Sequence, residues 1–432
     1  MTAEIAVYNK SAVSLAADSA VTISGGGSEK IYNGAEKLFA LTKHHPVGLM
    51  VYGSGDLCSA PWELVIKAYR KQLKERSFPT LEEYSSDFFS FLENAHNVIP
   101  TAMRDKQIYS FLAESVFSSL IESFGAEKNV ENPNYWVPPF DQNQFLLDLK
   151  EYCELLLEKL SDAEFLDDFD GDNLDAASTF CLDLTEHIIR DKIGIYTNIP
   201  LPDSLISVMN SVFAAMLCKK SDIGNISGIV IAGYGDNDFY PKVLSYDVCG
   251  FFDGKVRKSI NIDKCTKDGE SGVTPFAQED EVSAFMQGCS GNLINQLHSQ
   301  YNESIVELLD GIDSIIESKL SSEPEKDDFR KKVLEVAQNA LSNTGHKIQY
   351  FMQENYVRKV VNMVEYLPKQ DLAYMAESLV NLTAFKRKVS DDSETVGGPI
   401  DVAVITKADG FIWVKRKHYF DKELNHHFFV RQ

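Results

Sequence analysis

The chain has 432 residues, with 42 Lys or Arg against 64 Asp or Glu, a formal net charge of −22. That excess of carboxylates argues against binding nucleic acid, whose phosphates need a basic face, and against binding an anionic membrane surface. With 44% apolar and 11% aromatic residues, the chain has ample material for buried cores and is not a disordered acidic polymer.

No apolar run approaches the ~18 residues of a membrane-spanning helix. The opening MTAEIAVYNK lacks the basic head and apolar stretch of a secretory signal. The seven cysteines, Cys58, Cys153, Cys181, Cys218, Cys249, Cys265 and Cys289, are scattered and form no CxxC pair. They signal neither a zinc site nor a disulfide framework, and a reducing cytoplasm is the expected compartment.

From the N-terminus, EIAVYN, AVSLAADSAVTI, KIYN, KLFALT and VGLMVYGSG read as short strands separated by turn residues, which predicts an antiparallel sheet. Helices follow. Pro61 to Arg76 has apolar residues at helical spacing with Pro near its start. Thr80 and Glu83 form a capping-box pair ahead of YSSDFFSFLEN, whose Phe88, Phe89 and Phe91 belong in a core. Gln144–Leu160 and Asp203–Lys219 are further helices, with the acidic stretch DAEFLDDFDGDNLD between them. Its Asp167 to Asp172 run has glycine too early for a calcium loop and no closing Glu, so it reads as a solvated acidic loop. Strands return at GIVIAGYG, KVLSYDV and KVRKSINI. The stretch from Gly291 to about Tyr366 is helical, as is PKQDLAYMAESLVNLTAFKRKV, and a glycine loop then leads into a hairpin, DVAVITKADGFIWVK. Strand blocks at start, middle and end, with helices between them, predict an α+β core assembled from all three blocks.

Thr2 follows the initiator Met. Aminopeptidases remove Met before a small residue, so the mature chain is expected to begin with a threonine. Such a residue carries a hydroxyl nucleophile and, on the same atom set, an α-amine of pKa about 7.7–8.0 that can act as general base. The pattern after it, T-AEIAVYNKSAVSLAADSAVT through EKLFALTKHHPVGLMVYGSGD, resembles the N-terminal nucleophile hydrolases of the proteasome β-subunit type. That group includes the bacterial HslV and Anbu proteins. The central GIVIAGYGDNDFYPKVLSYDVCGFFDGKV, the FMQGCSGN segment and the closing SDDSETVGGPIDVAVI are similar to further motifs of that family.

The resemblance implies a four-layer αββα sandwich of two antiparallel sheets. It covers about half of the chain, giving a core of residues 1–95, 223–291 and 366–432 with helical insertions at 96–222 and 292–365. It puts the nucleophile on Thr2, the acidic partner on Asp18, the catalytic lysine on Lys37 and the oxyanion-hole glycine on Gly53. The hairpin around residues 24–27 is longer than the family's, which makes Lys30 a rival. Lys37 is preferred because Leu38-Phe39 keeps the strand phase. Asp392 and Thr395 match the closing acid and hydroxyl, although Val396 is one residue extra and an ungapped alignment would place Ser393 and Val396 at those positions. The supporting serine falls on Ser290 or on Cys289, depending on how the glycines are matched.

The side-chain pocket maps near Val21, Ala35 and Val51, apolar and of small to medium size, with Thr22 holding substrate main chain. The resemblance thus implies a threonine peptidase that needs no metal or organic cofactor. It would act on peptides or unfolded protein as a homo-oligomer, with an ATPase or regulatory partner left unidentified. A non-catalytic assembly subunit and a small-molecule amidohydrolase are the alternatives.

Overall fold

The computed structural model describes residues 2–25, 28–42, 44–137, 140–194, 196–320, 322–390 and 396–427. Helices and antiparallel sheets are combined, and the chain divides into two compact units. The first holds residues 1–34, 269–404 and 413–432, and the second residues 35–268 and 405–412. None of the described helices is long and apolar enough to cross a membrane.

The chain starts in the first unit with β1 (Glu4–Asn9) and β2 (Ala12–Ala17), an antiparallel pair in which every residue is buried. Next come β3 (Ala20–Gly25) and β4 (Ser28–Asn33), which pair only with each other. The expectation of one N-terminal sheet is therefore corrected. Its strands are shared among three sheets, because Asp18-Ser19 ends the β1–β2 ladder and the next hairpin leaves it.

The second unit takes β5 (Leu38–Ala40), β6 (Val47–Gly53) and the short β7 (Asp56–Leu57) and β8 (Ala60–Pro61). The helices α1 (Trp62–Leu73) and α2 (Leu81–Asn94) follow. The predicted cap holds: the Thr80 side chain accepts from the Glu83 amide at 3.3 Å. Five more helices fill residues 96–222: α3 (Thr101–Ser110), α4 (Phe117–Glu131), α5 (Gln142–Asp162), α6 (Gly171–Ile193) and α7 (Asp203–Cys218). They bury their own core around Phe124, Phe145, Ile189 and Phe213. The acidic stretch is engaged rather than simply solvated. Asp170 caps α6, Asp167 accepts from Ile260 N at 2.8 Å, and Asp168 pairs with Lys258.

The strands β9 (Ser227–Gly233), β10 (Lys242–Phe252) and β11 (Lys255–Ile260) then complete an antiparallel sheet of order β11-β10-β9-β6-β5. One face of it is covered by α1 and α2, with Trp62, Tyr69, Phe88 and Phe89 set against Leu49, Ile231 and Tyr246.

Back in the first unit, β12 (Gly272–Ala277) pairs with β1. It is followed by α8 (Glu279–Gln287), α9 (Gly291–Lys319), α10 (Glu323–Met352), α11 (Arg358–Val364) and α12 (Lys369–Val389). The last strands, β13 (Asp401–Thr406) and β14 (Gly410–Lys415), give the sheet order β12-β1-β2-β13-β14. Ala3, Ile5 and Val7 alternate onto the face that packs on Leu372, Ala376 and Leu379 of α12.

Candidate functional site

Thr2 sits just before β1 and is 6% exposed. Strand alternation puts it on the face opposite Ala3, Ile5 and Val7, together with Glu4, whose carboxylate is fully buried. Glu4 was not singled out by the sequence reading, although a charged residue inside an apolar strand is the available signal.

Asp18 occupies the corner between β2 and β3 and is completely buried. Its amide donates to Ala3 O at 3.1 Å, and its carboxylate accepts from Ala3 N at 3.1 Å. The same carboxylate accepts from Ala20 N at 3.2 Å and from Gly397 N at 2.9 Å. The neighbouring Ser19 donates its amide to Gly397 O at 3.1 Å and its hydroxyl to Pro399 O. Asp18-Ser19 therefore fastens three segments together: the residue after Thr2, the start of β3 and the loop leading into β13. Each bond to the carboxylate is charge-assisted, the strong kind of hydrogen bond.

A cleft of about 460 Å³ opens beside this junction, lined among others by Ile31, Asn33, Lys388 and Gly397. Gly398, at φ +76°, lets the loop pass close to β4, where a Cβ would lie 2.9 Å from that of Asn33. Val21 and Thr22 on β3 are half-buried. The Thr22 hydroxyl is buried without a hydrogen-bond partner among the described residues. Asp392 and Thr395, with Ser393, lie outside the described residues.

Ser290 has a local task. Its hydroxyl accepts from Leu293 N at 3.3 Å and caps α9, two residues after Gly288 ends α8 with φ +80°. Cys289 between them is half-buried.

The other predicted residues belong to the second unit. Lys37 precedes β5 and is 5% exposed, and its carbonyl accepts from Val51 N at 3.0 Å. The rival Lys30, on β4 of the first unit, is exposed. Ala35 is half-buried and Val51 buried. Gly53 ends β6 at φ +76°, and a Cβ there would lie 2.4 Å from Ile226 O, so the position needs glycine. The backbone after it is braced. Ser54 N donates to Ile226 O at 3.0 Å, Trp62 Nε1 donates to Ser227 Oγ at 2.9 Å, and that hydroxyl donates to Ser54 O at 3.2 Å. The brace from Trp62 and Ser227 was not visible in the sequence, since the two lie 165 positions apart.

One perturbed acid lies on this sheet. Tyr52 on β6 and Asp247 on β10 both pair with Gly228, whose missing side chain makes room for the tyrosine ring. Burial pushes the Asp247 carboxyl up, opposed by Lys264 and by hydrogen bonds from Asn261 and Tyr52. Among the described residues no cluster of His, Cys, Asp or Glu is arranged to hold a metal ion. Compared with known protein families and with curated proteins, the sequence has no match.

Proposed function

We propose that this chain is an N-terminal threonine hydrolase, acting on peptide bonds, with the four-layer αββα architecture of the proteasome β type. The observation that carries the reading is the clamp of Asp18 on Ala3. An acid at the end of the second strand grips the backbone of the residue next to Thr2 from both sides, which fixes a nucleophile that would otherwise sit on a loose chain end. Three further features support it: a buried Lys37, a glycine-only backbone at Gly53 held by the Trp62–Ser227 brace, and the unpartnered hydroxyl of Thr22.

In this mechanism, Met1 is removed and the freed α-amine takes the proton of Thr2 Oγ1, directly or through a water. The oxygen attacks the substrate carbonyl, and the Gly53 amide and the Lys37 ammonium stabilise the developing negative charge. The C–N bond then breaks, the leaving amine takes the proton back, and an ester on Thr2 remains. Water, deprotonated by the α-amine, attacks that ester and releases the acid. Val21, Ala35 and Val51 would favour a medium-sized apolar residue on the acyl side of the cleaved bond.

The deciding experiment combines intact mass with covalent labelling. The expected result is loss of Met1, a β-lactone adduct on Thr2, and no peptide turnover by Thr2→Ala. A purified chain that keeps Met1 and takes no label would overturn the reading.

A further inference from the structure

In a chain of net charge −22, one face of α1 is basic. From Leu64 to Lys74 there is no carboxylate, while Lys67, Arg70 and Lys71 recur at steps of three and four residues and Lys74 follows as the C-cap. Residues at those steps are neighbours on a helix surface, where like charges repel. Relief is confined to one end. Lys67 meets Glu63 and, at 3.6 Å, Glu36, whereas Lys71 and Lys74 have no ion-pair partner among the described residues. The helix dipole accounts for the cations of the last turn, Arg70 and Lys71. It does not account for Lys67 one turn earlier, or for the side chains that face the row from another element.

That element is the loop between β5 and β6, and with α1 it borders a cleft of about 260 Å³. Thr42, His44, Lys67, Arg70, Lys71 and Lys74 line the cleft, with no carboxylate and no apolar side chain among them. Thr42 is buried, and its hydroxyl accepts from the His44 and His45 amides at 2.9 and 2.7 Å. Its own proton is thereby left to donate. At physiological salt the Debye length is about 8 Å, so the cations of the cleft outweigh remote carboxylates in setting its field.

We propose that this cleft binds a compact oligophosphate, an anion of two or three linked phosphoryl groups. The sign of the lining selects an anion, since its cations are mutually repelling and only Lys67 is neutralised by the protein's own carboxylates. Size comes next. Lys67 and Lys74 lie about 10 Å apart along the helix axis, at ~1.5 Å per residue, which exceeds a single phosphate ion and suits a short chain of them. The kind of cation matters too. Lys67, Lys71 and Lys74 are point charges with rotatable donors, suited to the non-coplanar oxygens of phosphoryl groups, whereas a planar carboxylate is matched best by an arginine fork. The lack of apolar lining gives a nucleotide base or an acyl chain nothing to rest on. A much longer polyanion would run out over an acidic surface and be repelled. The inference is independent of the hydrolase reading, because a catalytically dead chain would bind the anion equally.

Isothermal titration calorimetry of the full chain at about 0.15 M salt, without divalent cations, tests it with tripolyphosphate as the probe. One equivalent should bind per chain and raise the melting temperature. Lys71→Ala/Lys74→Ala takes two cations from an exposed face, so helical circular dichroism should be unchanged while tripolyphosphate binds at least about tenfold more weakly. Lys347→Ala/Lys359→Ala, which removes two exposed lysines of the other unit, should leave the affinity as it was. Citrate, which carries its charge on planar carboxylates, should bind about tenfold more weakly than tripolyphosphate. Absence of both heat and a melting shift at millimolar tripolyphosphate would overturn the proposal. It also fails if Lys71→Ala/Lys74→Ala keeps the wild-type affinity, if the distant pair of substitutions weakens binding as much, or if citrate binds as tightly.

Discussion

The Asp18 carboxylate accepts three backbone amides from three different segments, and each is a charge-assisted bond worth about 1.5–3 kcal/mol. Asp18→Ala would leave three donors unanswered in a buried place, so it should destabilise the protein by about 4 kcal/mol in urea unfolding. Asp18→Asn should recover part of that, since its amide oxygen still accepts. Asp247 behaves in the opposite sense. Its carboxyl is raised in the folded protein, so the folded state binds its proton more tightly than the unfolded chain does. The ionised form is therefore a burden above the raised value. Asp247→Asn should raise the melting temperature at pH 7, and the gain should fade as pH falls through the raised value and below the ordinary 3.8, where both states are protonated. A gain that persisted unchanged at pH 3 would contradict this. Residue by residue, the sequence disclosed what depends on near neighbours. Asp18 and Gly53 stand where a buried clamp and a positive-φ turn require those residue types. Gly397, which completes the clamp from 379 positions away, carries no local mark, whereas the cap that Ser290 forms follows directly on the helix break at Gly288.

Two helices of the second unit end on buried arginines. Arg104 donates to Leu92 O at 2.9 Å, Glu93 O at 3.0 Å and Ile99 O at 3.1 Å, and lies 3.9 Å above the Phe251 ring. It thereby satisfies carbonyls that the last turn of α2 leaves open. Arg257 does the same for α7 through Met216 O and Leu217 O, both at 2.8 Å, with Phe111 beneath it. Arg104→Met keeps most of the volume but removes every donor, so it should cost about 3 kcal/mol on thermal or urea unfolding. Lysine at that position should fare little better, having one point of donation instead of a fork. Helix starts were legible because a cap lies within four residues of what it caps, as at Thr80. These helix ends were not, because the capping group arrives from another element. Strand membership failed for a related reason. Alternation identifies β3 and β4 as strands, but nothing in their own residues says that they pair only with each other.

At the scale of the whole molecule, the two units are unequal in their dependence on chain length. The second is almost continuous, residues 35–268, whereas the first needs β1 and β2 to meet β12 and β13. A chain cut before residue 396 should therefore lose protection in residues 1–34 and keep it in 35–268, which limited proteolysis with mass mapping would read. Equal digestion of both segments would contradict that. The Asp18 clamp adds a clock to this arrangement. A ribosome adding ~5–20 residues per second needs roughly twenty seconds to more than a minute to travel from Asp18 to Gly397. Throughout that interval the residue beside Thr2 lacks the last part of its holder. In the hydrolase proposed above, the Thr2 hydroxyl would thus acquire its working geometry only once Gly397 has been added, and a shorter chain would be harmless to its neighbours.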